Sequence, residues 1–261
     1  MSGRFENKVA VVTGGNSGIG EATARLFAQE DAKVAILARR EPEGLAVQQS
    51  IQEAGGNALF IPCDVSNRAS IESAVDKIID HFGAIHILFN NAGGGMPGMF
   101  PDESDECWEA VIGSNLTGTF LMSRTVWPHL LAAGGGSIIN MSSMAAMYML
   151  SEPMLSSVER IPPAAYSASK AGIEALTRYM ASVGSSKNIR VNCVRPGQIL
   201  TSRLEADDGN HRYKSVFDQV QLLKGVGDAY DVAHAVIFLA SDEAKFITAE
   251  IMNIDGGTPK N

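Results

Sequence analysis

The sequence predicts a doubly wound α/β fold, with one parallel sheet and helices on both of its faces. The first observation behind this prediction is that short apolar, β-branched runs alternate with amphipathic helical patterns along the chain. The second is the length of 261 residues with 45% hydrophobic residues, which suits one domain with a large core. Because no internal repeat or linker is visible, we expect residues 1–261 to form a single domain.

The predicted strands are short runs that are apolar on both faces, as expected for the interior of a parallel sheet. The first is typical, because residues 9–12 are all valine or alanine. The predicted strands are residues 8–13, 33–38, 58–62, 85–89, 137–141, 189–194 and 250–254.

The predicted helices lie between these strands, and several of them end at glycine. They are residues 21–29, 41–54, 71–82, 104–131, 166–182 and 231–240. The segment 201–223 is polar and irregular instead, and we expect it to form a lid over a substrate.

Charge and composition exclude several classes of partner. The formal net charge is −8 and no basic run is present, which argues against a nucleic acid or an anionic membrane surface. No apolar stretch is long enough to span a bilayer, and the first residues lack an apolar signal region. Cys63, Cys107 and Cys193 are odd in number and far apart, which favours reduced thiols in a cytoplasmic protein. The five histidines lack metal-ligand spacing, so we expect no metal.

The loop after the first predicted strand has the pattern of a phosphate-binding turn. It reads Thr13-Gly-Gly-Asn-Ser-Gly-Ile-Gly20 and leads directly into a predicted helix. Gly14, Gly18 and Gly20 would allow a tight turn and a close approach of the backbone to a pyrophosphate, and the helix N-terminus would offer unpaired N–H groups. The order strand, glycine loop, helix predicts a dinucleotide site, although a glycine-rich turn without a ligand has the same composition.

The end of the second predicted strand indicates which nicotinamide cofactor binds. An acidic residue there would bind the 2′-hydroxyl of the adenosine ribose, and this sequence has Ala38 followed by Arg39 and Arg40. A guanidinium binds a 2′-phosphate through two parallel hydrogen bonds. We therefore expect Arg39 to select NADP(H), with NAD(H) still possible; the alternative is a pair of solvated arginines.

Two further strand ends carry candidate cofactor residues. Asp64 follows the third predicted strand, where its carboxylate either accepts a hydrogen bond from an adenine amino group or caps the helix that begins near Asn67. Residues 90–95 follow the fourth and are small or polar, which lets the backbone approach a ligand closely.

The strongest candidate for chemistry is the pair Tyr166 and Lys170. Residues four apart on a helix share a face, so both side chains should point the same way. An ammonium beside a phenol favours the phenolate and lowers its pKa, which makes a general acid/base. Taken alone, the pair also fits an exposed tyrosine and lysine at a helix N-terminus.

Together, these stretches resemble the classical short-chain dehydrogenase/reductase family along residues 8–257. Thr13 to Gly20 is similar to its Thr-Gly-x-x-x-Gly-x-Gly loop, residues 90–93 to its Asn-Asn-Ala-Gly element, and residues 255–257 to its C-terminal ending. The resemblance implies a Rossmann-type fold and a catalytic tetrad of Asn115, Ser143, Tyr166 and Lys170. It implies further cofactor contacts at Asn16, Ser17, Ile19, Val65, Asn91, Ala92, Gly93, Pro196, Gly197, Ile199 and Thr201.

The resemblance also implies a role for each member of the tetrad. Tyr166 would exchange a proton with the substrate oxygen, and Ser143 would donate a hydrogen bond to that oxygen. Lys170 would lower the pKa of the tyrosine and bind the nicotinamide ribose. Asn115, through its helix backbone, would hold a water that relays protons past Lys170.

One stretch departs from the family pattern. The serine usually lies about a dozen residues before the tyrosine, and the gap between Ser143 and Tyr166 is about ten residues longer. The added segment is roughly residues 148–160, and short surface insertions are energetically cheap. It is either a bland loop or, with Met96 and Met99, a wall around a bulky apolar substrate.

The resulting expectation is an NADP(H)-dependent oxidoreductase acting on a ketone or secondary alcohol, assembled as a homotetramer. The interfaces would involve helices 104–131 and 166–182 and the last strand. Two alternatives stay open: an NAD(H)-dependent dehydrogenase of a secondary alcohol or diol, and a catalytically silent regulator that senses nucleotides.

Overall fold

The computed structural model describes residues 3–96, 98–148, 162–202, 204–205, 211 and 213–258. These described residues form a seven-stranded sheet in the order β3-β2-β1-β4-β5-β6-β7, and all neighbouring strands run parallel. The doubly wound parallel sheet predicted from the sequence is confirmed. The strands are β1 Val9–Thr13, β2 Lys33–Ala38, β3 Asn57–Pro62, β4 Ile87–Asn90, β5 Gly136–Met141, β6 Ile189–Pro196 and β7 Ile251–Ile254.

The helices cover both faces of this sheet. They are α1 Gly18–Gln29, α2 Glu41–Glu53, α3 Arg68–Phe82, α4 Asp105–Ile112, α5 Gly118–Ala132, α6 Ala164–Gly184, α7 Lys214–Val220 and α8 Ala229–Ala240. One core packs α1, α2 and α8 on the sheet, and a second packs α3, α5 and α6 on the opposite face. Both faces of the strands are therefore buried, which explains why their sequences are continuously apolar rather than alternating.

Two local predictions differ from the structure. The segment 201–223, predicted to be irregular, contains α7 at Lys214–Val220. Val216 and Phe217 of α7 are buried, and two anchoring residues in a short polar segment are too few to produce a visible helical period. The helical stretch 104–131 is interrupted by a π-helical turn at Gly113–Thr117, which joins α4 to α5 and contains Asn115.

The start of α3 excludes one of the two roles predicted for Asp64, that of helix cap, while the adenine contact stays a prediction. Asn67 is the N-cap of α3, and its side chain accepts a hydrogen bond from the backbone N–H of Ser70. Asp64 therefore does not cap this helix. Its Oδ1 accepts hydrogen bonds from the N–H and hydroxyl of Ser66 at 2.9 and 2.7 Å.

The strand order creates one crevice. The chain runs outward from β1 to β3 and then returns to place β4 on the other side of β1. The loops that follow β1 and β4 therefore leave the carboxyl edge in opposite directions, which is where open parallel sheets bind ligands. None of the described helices has the length and apolar character needed to cross a membrane.

Candidate functional site

The loops after β1 and β4 are joined at this crevice by Thr13. Its hydroxyl accepts hydrogen bonds from the backbone N–H groups of Asn91 and Ala92 at 2.9 and 3.0 Å. The side-chain amide of Asn91 donates back to the carbonyl groups of Thr13 and Gly14. Asn91 and Ala92, which are predicted to contact the cofactor, are thus hydrogen-bonded to the start of the glycine loop.

The glycine loop leads directly into α1, so the N-terminus of α1 lies at the crevice. Gly18, the first residue of α1, has φ +55°, in the left-handed region that favours glycine. Ser17 is the N-cap, and its side chain makes no capping hydrogen bond. Because the first N–H groups of a helix lack intrahelical partners, this end suits an anion such as a phosphate.

The end of β2 brings a guanidinium onto the glycine loop. Arg40 donates to the hydroxyl of Ser17 at 3.0 Å and to the Oε1 atom of Glu43 at 2.7 Å. Arg39, the predicted 2′-phosphate ligand, is exposed beside it, and its charge acts on Asp64. The sequence predicts a phosphate contact at Arg39, and the structure places both Arg39 and Arg40 at this corner of the crevice.

Asp64 and Val65 close the same side of the crevice. Partial burial tends to raise the pKa of Asp64, but hydrogen bonds from Ser66 and the charge of Arg39 lower that pKa below its usual value overall. The carboxylate therefore stays ionised and keeps accepting hydrogen bonds. Val65 packs where α5 begins, since a Cβ placed on Gly118 would lie 2.9 Å from the Val65 carbonyl oxygen.

The loop after β6 returns to the glycine loop. Gly197 donates its N–H to the carbonyl of Ile254 at 2.9 Å, and Ile199 is buried. At the far end of the loop, the methyl group of Thr201 would lie 3.4 Å from a Cβ placed on Gly18. The segment 196–201 therefore spans the crevice from β6 to the first residue of α1.

A fit to a dinucleotide is indicated by two buried amides at this crevice. Among the described residues, Asn16 and Gln198 are 7% and 2% exposed, and the Nδ2 atom of Asn16 and both polar atoms of Gln198 lack hydrogen-bond partners. A buried polar group without a partner costs about 1–3 kcal/mol, so a bound molecule that pairs these atoms would recover that free energy. Together with the α1 N-terminus and the cations beside it, these two amides suit a nicotinamide dinucleotide.

Tyr166 and Lys170 lie together at the same carboxyl edge. Both belong to the first two turns of α6, and the Nζ atom of Lys170 lies 5.5 Å from the centroid of the Tyr166 ring. Lys170 is 3% exposed, and its Nζ donates to the carbonyl oxygen of Met141 at 2.8 Å. The ammonium is thus held between α6 and the end of β5. It lies on the same side of α6 as the Tyr166 ring, as the spacing of four residues predicts.

Ser143 stands two residues beyond the end of β5. Its backbone is extended, and its hydroxyl accepts a hydrogen bond from the N–H of Ala145 at 3.3 Å. The short 3₁₀ turn Met144–Ala146 packs against α6. Ser143 therefore lies on the strand end to which Lys170 is bonded, facing the helix that carries Tyr166.

Asn115 is fully buried and ties the glycine run to α6. Its side chain accepts from the Gly94 N–H at 2.8 Å and donates to the hydroxyl of Ser169 at 3.0 Å. At Gly93, φ is +147° and a Cβ would lie 2.4 Å from the Asn115 Oδ1 atom, so only glycine fits there. The main-chain carbonyl of Asn115 accepts a hydrogen bond from the Thr119 hydroxyl at 2.7 Å, so the expected water relay stays a prediction. The π-helical turn that holds Asn115 is of a kind that is frequent at functional sites.

The structure describes only part of the predicted substrate wall. Of the added segment 148–160, Tyr148 is described and residues 149–160 lie outside the described residues. Met96 and Met99 are 45% and 49% exposed beyond the glycine run, as an open apolar surface. In the part of the chain that the structure describes, no three His, Cys, Asp or Glu side chains come together as metal ligands.

Comparison with known proteins identifies the family. The protein-family model described as Enoyl-(Acyl carrier protein) reductase matches residues 14–259. The chain belongs to the short-chain dehydrogenase/reductase family. As a member of it, the protein is an NAD(P)-dependent oxidoreductase.

Curated relatives in this family act on different substrates. The chain is 38% identical over 257 residues to the 2,5-dichloro-2,5-cyclohexadiene-1,4-diol dehydrogenase LinX of Sphingobium indicum, with 98% of each chain covered. It is 35% identical over 255 residues to the 3-oxoacyl-[acyl-carrier-protein] reductase FabG of Thermotoga maritima, with 97% of this chain and 98% of the relative covered. Family membership thus fixes the reaction class and leaves the substrate open.

Solved structures of family members superpose over nearly the whole chain. A short-chain dehydrogenase/reductase from Burkholderia xenovorans gives a TM-score of 0.88 at 32% identity, covering 97% of both chains. A 7α-hydroxysteroid dehydrogenase complexed with NADH and 7-oxo glycochenodeoxycholic acid gives 0.87 at 30% identity, covering 99% of this chain and 96% of that one.

Proposed function

We propose that the protein is an NADP(H)-dependent oxidoreductase that interconverts a bulky apolar ketone and its secondary alcohol. The observation that carries this proposal is the buried Lys170 ammonium beside the Tyr166 ring, on the strand end that also holds Ser143. The residues that would hold the cofactor are those of the glycine loop, residues 91–93, the corner formed by Arg39 and Asp64, and the segment 196–201.

The preference for NADP(H) is supported by charge at the end of β2. Ala38 has no carboxylate to bind a ribose hydroxyl, and Arg39 is exposed beside Arg40, which already bonds Ser17 of the glycine loop. A 2′-phosphate placed here would meet two guanidinium groups and the N-terminal end of α2. These groups favour the phosphorylated cofactor over NAD(H).

The chemistry divides between the cofactor and the chain. A bound nicotinamide supplies or accepts the hydride. In the direction of reduction, Tyr166 donates its phenolic proton to the carbonyl oxygen, and Ser143 donates a hydrogen bond to the same oxygen as negative charge develops there. Lys170 keeps a positive charge next to the phenol, and the same groups act in reverse when an alcohol is oxidised.

A substrate screen tests this function. Purified protein is assayed against cyclic, bicyclic and steroid ketones and their alcohols, with NADPH and NADH in parallel, by the change in nicotinamide absorbance. We expect turnover of at least one bulky ketone with a higher kcat/KM for NADPH. Binding of a nicotinamide without turnover of any ketone or alcohol would contradict the proposal and favour a nucleotide-sensing regulator.

A second candidate is an NAD(H)-dependent dehydrogenase of a diol. It is favoured by the similarity to LinX, whose name specifies a cyclic diol, and to a structure that contains NADH. Including cyclohexane diols with NAD in the same screen separates the two candidates, because a diol dehydrogenase would use them faster with NAD than with NADP.

The proposed assembly is a homotetramer of single-domain chains in the cytoplasm. Support comes from two exposed apolar regions, one on α5 and α6 and one near β7. Phe120 and Tyr179 are 43% and 70% exposed in the first, while Phe246 is fully exposed in the second. Contiguous exposed apolar patches mark surfaces that bind another protein, and we propose that these side chains belong to such patches.

A further inference from the structure

A buried ion pair lies directly behind the proposed catalytic residues. Glu174 of α6 and Arg195 of β6 are 6% and 7% exposed. The Nε and Nη2 atoms of Arg195 donate to the two carboxylate oxygens of Glu174 at 2.7 and 2.6 Å. This two-bond geometry fixes the relative position of the two elements more tightly than a single contact would.

Both partners are next to residues of the proposed site. Glu174 follows Lys170 by one helical turn, and Arg195 immediately precedes Pro196, which begins the loop that spans the crevice. The sequence did not indicate the pair, because the two residues are 21 positions apart and meet only when α6 packs on β6.

The ion pair also contacts the end of β5, the strand end that carries Ser143. The hydroxyl of Ser142 lies 2.7 Å from the Glu174 Oε1 atom and 3.3 Å from the carbonyl oxygen of Lys170. The N–H of Ser142 continues the ladder between β5 and β6 by donating to Val194 at 2.8 Å. Ser142 is therefore held on two sides, and the backbone of Ser143 follows directly from it.

Arg195 continues the network in the other direction. Its Nη1 atom donates to the Oδ1 atom of Asn253 in β7 at 3.0 Å and contacts the Sδ atom of Met147 at 2.8 Å. Met147 stands immediately before the segment 148–160. We call Ser142, Glu174, Arg195 and Asn253 the strand-end network, since together they join β5, α6, β6 and β7 at the carboxyl edge.

Stability alone is a weak explanation for this arrangement. The desolvation cost of a buried ion pair often matches or exceeds its Coulombic gain, and apolar residues of similar volume can replace such a pair without loss of stability. Apolar residues would not reproduce the geometric effect of the pair, because apolar contacts, unlike hydrogen bonds, do not fix the relative orientation of two side chains. A misplacement of about 1 Å can cost about a hundredfold in rate.

We propose that the strand-end network positions Ser143 and Lys170 relative to Tyr166, so that Glu174 and Arg195 are positioning residues for the reaction. The expected change in kcat rests on the proposed function. The expected positions of Ser143 and Lys170 relative to Tyr166 do not depend on any substrate. The proposal assigns to the Glu174–Arg195 pair a role that the tetrad does not include.

Three variants separate positioning from stability. Glu174→Met leaves the buried Arg195 guanidinium without its carboxylate, and Arg195→Met leaves the Glu174 carboxylate with the longer ion-pair contact of 3.9 Å to Arg178. Each variant should therefore lower both the melting temperature and kcat. The double variant removes both charges and should recover most of the melting temperature. If the network positions the site, kcat of the double variant with the best bulky ketone and NADPH stays at least about tenfold low, while the KM for NADPH changes less than about threefold.

Arg190→Met is the matched control. Arg190 lies on the same strand at its opposite end, where its guanidinium donates to carbonyl groups at the end of α8, including Leu239 at 2.7 Å and Ser241 at 3.0 Å. This variant should lower the melting temperature and keep kcat when assayed well below that temperature. Recovery of kcat together with stability in the double variant, or an equal loss of kcat in Arg190→Met, would overturn the proposal.

A crystal structure of the double variant provides the readout that needs no substrate. We expect the Ser143 hydroxyl and the Lys170 ammonium to be displaced relative to the Tyr166 ring. Unchanged positions would overturn the positioning role whether or not a ketone is reduced. Displacement in a protein that reduces no ketone would support the network and contradict only the proposed function.

Discussion

At the scale of single residues, Lys170 has a closely constrained position in the site. Its ammonium is almost completely buried, bonded to the carbonyl of Met141 and placed beside the Tyr166 ring. Burying a charge is costly unless polar groups compensate for it, so the fold must hold these partners in place. The same arrangement keeps a cation where the proposed proton transfer needs one.

The residues at the end of β2 give a prediction about the cofactor. Ala38→Asp with Arg39→Leu adds a carboxylate that repels a 2′-phosphate and removes a cation that attracts it. The double substitution should shift the preference from NADPH towards NADH, measured as the ratio of the two kcat/KM values. Arg40→Leu is the comparison variant: it removes a guanidinium that also bonds Ser17 and Glu43 and adds no carboxylate, so it should shift the preference less than the double substitution. A wild-type enzyme with the higher kcat/KM for NADH would refute the assignment.

Cys193 gives a second prediction at this scale. Burial, followed by the charge of Glu174, raises the pKa of its thiol to about 12, so the reactive thiolate is scarce at mildly alkaline pH. In the folded protein Cys193 should remain unmodified by iodoacetamide, and it should react after denaturation. Mass spectrometry of tryptic peptides measures this, and rapid alkylation of the native protein would show that the strand opens.

At the scale of elements, the sequence predicted most of the fold because local patterns specify it. The strands were found within about two residues, since buried parallel strands are continuous apolar runs. The helix α7 and the π-helical turn around Asn115 were not found, because neither has a hydrophobic period of its own.

The candidate site was predicted less completely than the fold. Motifs indicated Tyr166 and Lys170, whose contact follows from helical spacing. The contact of Arg40 with Ser17 and the pairing of Glu174 with Arg195 join residues far apart in sequence. Such contacts depend on the order of strands in the sheet, which no single motif contains.

The added segment between Ser143 and Tyr166 gives a prediction at the element scale. If residues 148–160 enclose a bulky substrate, shortening the segment by about ten residues should raise KM for large ketones far more than for small ones, since burial stabilises binding by roughly 25 cal/mol per Å² of apolar area. Unchanged NADPH affinity and melting temperature serve as the control. An equal loss for large and small ketones would identify the segment as a bland loop.

At the scale of the whole molecule, the described strands form one continuous sheet, while apolar side chains remain exposed on two regions of its surface. The sheet places the loops that follow β1, β4, β5 and β6 at one edge, so the proposed cofactor-binding and catalytic residues lie at the same edge. Two of the exposed apolar side chains lie away from that edge, because Tyr179 is in the C-terminal half of α6 and Phe246 precedes the first residue of β7.

Light scattering tests the assembly. At micromolar concentration we expect a mass near four chains, because tetramer formation would bury Tyr179 of α6, which is 70% exposed in the single chain, and Phe246 near β7, which is fully exposed. Tyr179→Glu should reduce the mass by placing a charge in one interface. A wild-type mass equal to one chain would contradict the proposal.

The central claim is that Tyr166 exchanges the proton in a nicotinamide-dependent reaction, and Tyr166→Phe tests it most directly. The variant keeps the ring beside Lys170 and removes only the hydroxyl, with Tyr179→Phe on the exposed face of the same helix as the control. We expect kcat to fall at least about a hundredfold for Tyr166→Phe with unchanged NADPH affinity, and to stay at the wild-type value for the control. Turnover by Tyr166→Phe at a near wild-type rate would contradict the claim.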